Sequence, residues 1–180
     1  MTNVLSWLWR LLTGRGEGVS PFPAGTGPSR LVLLRHAEKT GKKSDTGLSP
    51  AGTARAERLA TYLPDTFGAP QFLIAARTSK RSRRPVETLE PLAAATGISI
   101  REDIDDSEVR KLVKALRDDA TYRGRTGVIS WRHSDLPRLI SELGAPDALM
   151  PDWHEDDYTT VIVLDYGAGL PRAHRVEMPF

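Results

Sequence analysis

The 180-residue chain contains no cysteine, which removes disulfides, thiolate chemistry and Cys-ligated metals at once and leaves the redox compartment undecided. Charge of one sign is missing too: 25 Lys and Arg against 23 Asp and Glu leave a formal +2. Although the sequence pI is about 9.0, so small an excess gives no argument for a nucleic-acid partner. No stretch is long or apolar enough to span a bilayer, and a cytoplasmic protein is the expectation. Histidine occurs four times, as His36, His133, His154 and His174. No two of them have the short spacing of a metal-ligand pair, so neither a metal nor another cofactor is expected.

What is present, 39% hydrophobic and 27% charged residues, suits one globular domain with a full core. Residues 4 to 12 (VLSWLWRLL) have no basic residue before them and are interrupted by Arg10, so they read as a short helix rather than a signal peptide. Trp7 and Trp9 could anchor that helix at a membrane surface, but packing or mobility is the favoured reading, because so short a helix is marginal unless something buries it. Residues 13 to 29 are rich in Gly, Pro and Ser. The expected division is an N-terminal segment over 1–28 and a folded domain over 29–180.

In that domain an unbroken apolar run, Leu31-Val32-Leu33-Leu34, stops abruptly at Arg35, His36, Ala37 and Glu38. The run has the form of a strand buried on both faces of a parallel sheet, and open α/β sheets bind ligands just beyond the carboxyl ends of such strands. Taken alone, an Arg-His pair after a strand is more often the start of a solvated loop. After a basic loop from Lys39 to Thr46, Leu48-Ser49-Pro50 announces a helix with Ser49 as N-cap and Pro50 at its first position. It should run to about Leu63, with Ala51, Ala54, Leu59 and Leu63 among its inward residues.

A second strand, Phe72 to Ala76, breaks into the run Arg77-Thr78-Ser79-Lys80-Arg81-Ser82-Arg83-Arg84. No aromatic is interleaved, which argues against a nucleic-acid patch, and its place before a helix suggests that some guanidinium groups face an anion. Pro91 should kink or shorten that helix. Ile98 to Ile100 is a short edge strand. Asp105, Asp106, Ser107 and Glu108 then precede Val109, Leu112, Val113 and Leu116, one face of an amphipathic helix whose dipole sufficiently explains the carboxylates.

Gly127 to Trp131 is the next buried strand, and it ends in Arg132-His133-Ser134-Asp135. Ser134 or Asp135 should cap the following helix, whose inner face is Leu136, Leu139, Ile140 and Leu143. A strand from Thr159 to Leu164 and a last strand from Ala173 to Met178, pairing antiparallel at the edge, complete a three-layer α/β/α sandwich with a mostly parallel sheet. Two histidines and an arginine cluster, each past a buried strand, suit phosphoryl transfer through a histidine: a neutral imidazole attacks phosphorus while arginines neutralise its oxygens.

The ordered set of Arg35-His36-Ala37-Glu38, Leu48-Ser49-Pro50-Ala51-Gly52, Arg84 four residues before Thr88, and His133-Ser134 resembles the histidine phosphatase superfamily, also called phosphoglycerate mutase-like. The resemblance covers residues 30 to 178 and implies a metal-independent phosphatase in which His36 is the phosphorylated nucleophile, Arg35 and Arg84 bind the phosphoryl group, and His133 completes the phosphate pocket. It implies too that a carboxylate upstream of His133 donates the leaving-group proton, with Asp105, Asp106 and Glu108 as candidates and Asp106 and Glu108 carried forward. Asp135 resembles the aspartate of another branch of the superfamily but stands at the wrong spacing, and Glu38 is as easily a loop residue. The family's usual Ser-Pro-Leu after the second strand is replaced here by Arg77-Thr78-Ser79-Lys80.

The implied partner is a phosphoprotein or a phosphorylated small molecule such as a sugar phosphate, with no nucleic acid. A domain without room for long insertions should have an open site, as in short members that act on phosphohistidine proteins. The rival reading is a catalytically weak phosphate-binding regulatory module of the same fold. His154 and His174 read as surface residues.

Overall fold

Leu31, Val32, Leu33 and Leu34 are each at most 1% exposed, which requires a layer of structure on either side of the strand that carries them. The computed structural model describes residues 20–42, 44–145, 153–167 and 169–180. The helix and membrane contact expected at residues 4–12 lie outside these, as does Lys43 of the basic loop. Among the described residues the order is β1 (Arg30–Arg35), α1 (Pro50–Phe67), β2 (Phe72–Ala75), α2 (Arg84–Thr96), β3 (Ile100–Arg101), α3 (Val109–Asp118), β4 (Thr126–Trp131), α4 (Leu136–Glu142), β5 (Thr160–Asp165) and β6 (Arg172–Glu177).

The sheet runs β3-β2-β4-β1-β5-β6. β3, β2, β4 and β1 are mutually parallel, β5 runs antiparallel to β1, and β6 closes the edge antiparallel to β5. Because side chains alternate along a strand, Leu31 and Leu33 enter one core with Val109, Leu112 and Leu116 of α3 and Leu136, Leu139 and Ile140 of α4. Val32 and Leu34 enter the other, with Leu59 and Leu63 of α1 and Leu89 and Leu92 of α2. The result is the expected α/β/α sandwich.

Four local expectations differ from the structure. The buried residues of α1 are Gly52, Ala56, Leu59, Leu63 and Phe67, whereas Ala51 and Ala54 are exposed. A helix start made of Ala, Gly and Thr offers no apolar contrast from which to read its phase. α1 also continues one turn through Pro64, because Phe67 is buried beneath it, and α2 runs unbroken past Pro91 to a left-handed Gly97. Finally, Phe22 is 6% exposed and stacks edge-on against Tyr166 at 4.8 Å, and Gly124 N donates to Gly27 O at 2.9 Å. The packing therefore takes in residues 20–28, which Gly and Pro content had placed in a linker.

Candidate active site

The chain leaves the neighbouring strands β1 and β4 in opposite directions, into α1 on one face of the sheet and α4 on the other. Such a divergence opens a crevice at the carboxyl ends of the two strands. Arg35 is in register with Trp131, and His36 N donates to Trp131 O at 3.0 Å. His36 and His133 thus follow directly from the lips of the same crevice.

His36 is 3% exposed. Its Nδ1 lies 2.7 Å from Ala37 O, and a carbonyl only accepts, so Nδ1 carries the proton and Nε2 keeps a free lone pair. Burial above all pushes its pKa down to about 3; the Ala37 hydrogen bond opposes this, and the charges of Arg35, Arg84 and His133 reinforce it. The ring is a neutral base at physiological pH. His133, half-buried, is also shifted down by burial and then by Arg35 and Lys39, against an opposing Glu155.

The backbone around His36 is held from several directions. Ala37 N donates to the buried Thr88 hydroxyl at 2.9 Å, which itself donates to Arg84 O at 2.7 Å. The spacing between Arg84 and Thr88 is one helical turn, so the threonine ties the start of α2 to the loop carrying His36. Ser49 caps α1 by accepting from Gly52 N at 3.1 Å, and Ser49 N donates to Glu38 O at 2.9 Å. Gly52 is required by close approach: a Cβ there would overlap the Glu38 carbonyl oxygen and lie 3.0 Å from Glu38 N. Glu38 is no solvated loop residue, since its Oε1 accepts from Arg55 Nε at 2.8 Å and its Oε2 is buried without a partner among the described residues.

Of Arg81, Arg83 and Arg84, it is Arg84, the first residue of α2, whose charge bears on His36. Its Nε donates to Gly47 O at 3.0 Å and its Nη2 to Asp45 O. Arg83 pairs instead with Glu87 at 3.5 Å and Arg81 is exposed. Arg35, 2% exposed, lies with its guanidinium carbon 3.9 Å from the centroid of the Tyr158 ring. It donates through Nη1 to Glu155 O and Asp157 O and through Nη2 to the Tyr158 hydroxyl at 3.2 Å. Its Nε is buried with no acceptor among the described residues.

No hydrogen bond among the described residues joins the candidate proton donors to His36, Arg35, Arg84 or His133. Glu108 is partly exposed, and Asp105 N and Lys111 hold its carboxyl below the usual range. Asp106 is raised by burial, although its Oδ2 accepts from Arg132 Nη1 at 2.5 Å. Asp105 accepts from Ser107 and Arg77. Asp135 holds the N-cap position of α4 without a side-chain bond to the helix and accepts from the Ser134 hydroxyl at 2.7 Å. No group of three or more His, Asp or Glu side chains among the described residues could hold a metal ion.

Sequence reasoning missed the stretch 153–158. Its carbonyls and Tyr158 hold Arg35, and Glu155 pairs with Lys39. Main-chain acceptors leave no side-chain signature; the acidic run Glu155-Asp156-Asp157 facing a basic Lys39 was the available hint. His154 and His174 are exposed, as expected.

No family model matches the sequence, and no curated protein does. Solved structures do resemble the fold. The protein histidine phosphatase SixA in complex with tungstate aligns over 82% of this chain and 96% of its own, with a TM-score of 0.59 at 14% identity. A mycobacterial glucosyl-3-phosphoglycerate phosphatase bound to inorganic phosphate aligns over 84% and 97%, with a TM-score of 0.58 at 18% identity. A candidate SixA phosphohistidine phosphatase from Agrobacterium tumefaciens aligns over 83% and 97%, with a TM-score of 0.55 at 21% identity. At these identities the likeness shows a shared fold, over nearly the full length of each relative and 82–84% of this chain.

Proposed function

We propose that the chain is a phosphatase of the histidine type that works through a phosphohistidine on His36 and acts by preference on phosphohistidine carried by another protein. The observation that carries this reading is the state of His36: buried, neutral, with Nδ1–H fixed on Ala37 O and three cationic or polarising groups around it. In the first step Nε2 attacks phosphorus and the bond from phosphorus to the leaving group breaks. In the second, water attacks the phosphohistidine, the bond to Nε2 breaks, and inorganic phosphate leaves. Arg35, whose buried Nε lacks an acceptor, Arg84 and His133 would take the phosphoryl oxygens, which is stabilisation enough for a loose transition state without a metal.

The placement of the carboxylates favours the substrate class. An alkoxide is a poor leaving group and needs a positioned acid, whereas an imidazole protonated on its far nitrogen leaves as a neutral base of pKa about 6.5. A site in which Glu108 is held by Lys111 and Asp106, the one of these carboxyls raised by burial, is tied to Arg132 offers at most a weak acid and suits the second kind of substrate. Two of the three structural relatives are SixA proteins, which supports the same reading, and the third is a glucosyl-3-phosphoglycerate phosphatase.

The test is rapid quenching of wild type and His36→Ala after mixing with a radiolabelled phosphohistidine peptide. Acid-labile, base-stable label that appears on the wild type and turns over, and that is absent from the variant, is the expected result. Phosphate release by His36→Ala overturns the assignment of the nucleophile. Vanadate binding with no label and no release establishes the regulatory module instead.

A further inference from the structure

We propose that a second, basic cleft beside the reaction centre is a subsite for acidic side chains flanking the phosphohistidine on the substrate protein. This rests on the reading just given and names how the substrate is chosen. β4 is flanked by two diverging neighbours: the chain leaves both β1 and β2 for one face of the sheet and leaves β4 for the other. The crevice toward β1 leads to His36. The one toward β2 is a cleft of about 290 Å3 lined by Arg77, Lys80, Arg81, Arg132, Asp105 and Asp106, with Ser79.

Four cations against two carboxylates leave two positive charges uncompensated. The two pairs are defined: Arg77 with Asp105 at 3.1 Å and Arg132 with Asp106 at 2.5 Å. Lys80 and Arg81 have no carboxylate partner among the described residues. They occupy the tip of a tight turn closed by Ser79 and Ser82, whose backbones exchange hydrogen bonds of 3.0 and 3.3 Å. The Ser79 hydroxyl also accepts from Arg81 N at 3.2 Å. Across the cleft the Asp106 backbone is anchored by Trp131 Nε1, which donates to its carbonyl at 3.0 Å. Both walls are thus fixed, and the free charge sits on one of them.

Distance selects the occupant. The ends of β1 and β2 are separated by β4, two strand spacings or about 10 Å. That exceeds the reach of a second group on a three-carbon phosphate, but an extended peptide covers it in about three residues at roughly 3.3 Å each. A carboxylate two to four positions from the phosphohistidine would reach Lys80 and Arg81. Without an aromatic in the lining, a single-stranded nucleic acid would find no stacking platform.

The experiment compares two phosphohistidine peptides that differ in Glu or Gln at these flanking positions. At low salt the wild type should favour the acidic peptide about tenfold in kcat/KM, mostly through KM. In Lys80→Ala/Arg81→Ala that ratio should fall toward one, as it should for the wild type at high salt. Equal rates for the two peptides with wild type, or a ratio retained in the double variant, overturns the subsite. If neither peptide is dephosphorylated, the activity reading alone has failed, and NMR titration with the unphosphorylated peptides decides the subsite. Shifts at Lys80, Arg81 and Arg132 with the Glu peptide, weakened in the double variant, support it; their absence overturns it.

Discussion

At the end of β1, His36 is 3% exposed, its Nδ1 is held by Ala37, and Thr88, Ser49 and Gly52 clamp the loop that carries it. At the end of β4, His133 follows an arginine in the same way, yet its ring is half-buried and makes no hydrogen bond to another described residue. The two sites share a sequence pattern and differ in what surrounds them. Under the proposed function, burial and a fixed tautomer suit His36 to attack phosphorus, and an open ring that can take up or give hydrogen bonds suits His133 to meet phosphoryl oxygens. Much of the difference is set outside the Arg-His doublet, by Ser49 and Gly52 at the start of α1 and by Thr88 on α2.

The largest effect should come from breaking the clamped end. His36→Asn keeps a donor for Ala37 O but has no nucleophilic nitrogen, and turnover should fall by about four orders of magnitude or more. His133→Asn removes a polarising group and leaves the nucleophile, so the loss should be about 10²- to 10³-fold, the usual cost of one stabilising donor. Single-turnover kinetics separate the two: labelled enzyme should form slowly in the His133 variant and not at all in the His36 variant. Equal losses would mean that the contrast between the two ends has no bearing on the chemistry.

Gly52→Ala attacks the clamp without touching a reacting atom. The new methyl group would press on the Glu38 carbonyl, and either the start of α1 or the loop after His36 must yield. Overpacking of this kind costs about 1–3 kcal/mol, and a small displacement of a nucleophile costs up to about a hundredfold in rate. A thermal melt together with kcat reads both. A variant of unchanged kcat would show that the nucleophile does not depend on this contact.

The long strands and the two Arg-His endings were legible because each rests on an apolar run that stops, Arg84 was reached through the resemblance by its spacing to Thr88, and the short strand expected at Ile98–Ile100 stands instead at Ile100–Arg101. The phase of α1 was not, because Ala51, Ala54 and Ala56 look alike to a periodicity argument and only the Glu38 backbone decides that Gly52 faces inward. Phe22 was hidden by the Gly and Pro around it, which signal loop whether or not an aromatic among them reaches the core. The support of Arg35 by the carbonyls of residues 154–158 has no side-chain pattern at all. The acid is the hardest case: Asp105, Asp106 and Glu108 are near neighbours in sequence, and their separate environments exist only in the fold.

The depressed pKa of His36 also links the clamp to stability. Folded His36 takes a proton only near pH 3, whereas the unfolded chain takes it near 6.5. As the pH falls through 6.5 the unfolded state binds the extra proton, so stability is lost toward acid and stops falling on this account near pH 3. Each such histidine contributes a slope of about 1.4 kcal/mol per pH unit between pH 6 and 5, where the carboxylates scarcely titrate. Urea unfolding at pH 6 and 5 should show that slope lessened by about this amount in His36→Asn. His133, shifted the same way but half-exposed, should contribute less. A slope unaffected by the His36 substitution would mean that its ring is not buried neutral.

The smallest effects sharpen the comparison from the side of the leaving group. Asp106 is partly buried beside Arg132, with its carboxyl raised by burial, and Glu108, at the start of α3, has its carboxyl lowered by Asp105 N and Lys111. Only Asp106 has an environment that could keep a proton for donation. Asp106→Asn should therefore change phosphohistidine hydrolysis by less than about threefold and slow a phosphomonoester with an alkyl leaving group by tenfold or more, while Glu108→Gln should leave both within about twofold. A plot of log kcat/KM against leaving-group pKa is the measurement: its slope should steepen in the Asp106 variant alone. If both variants lie on the wild-type line, no carboxylate assists departure, and the open end of β4, where His133 stands beside Arg132, must deliver the proton through water.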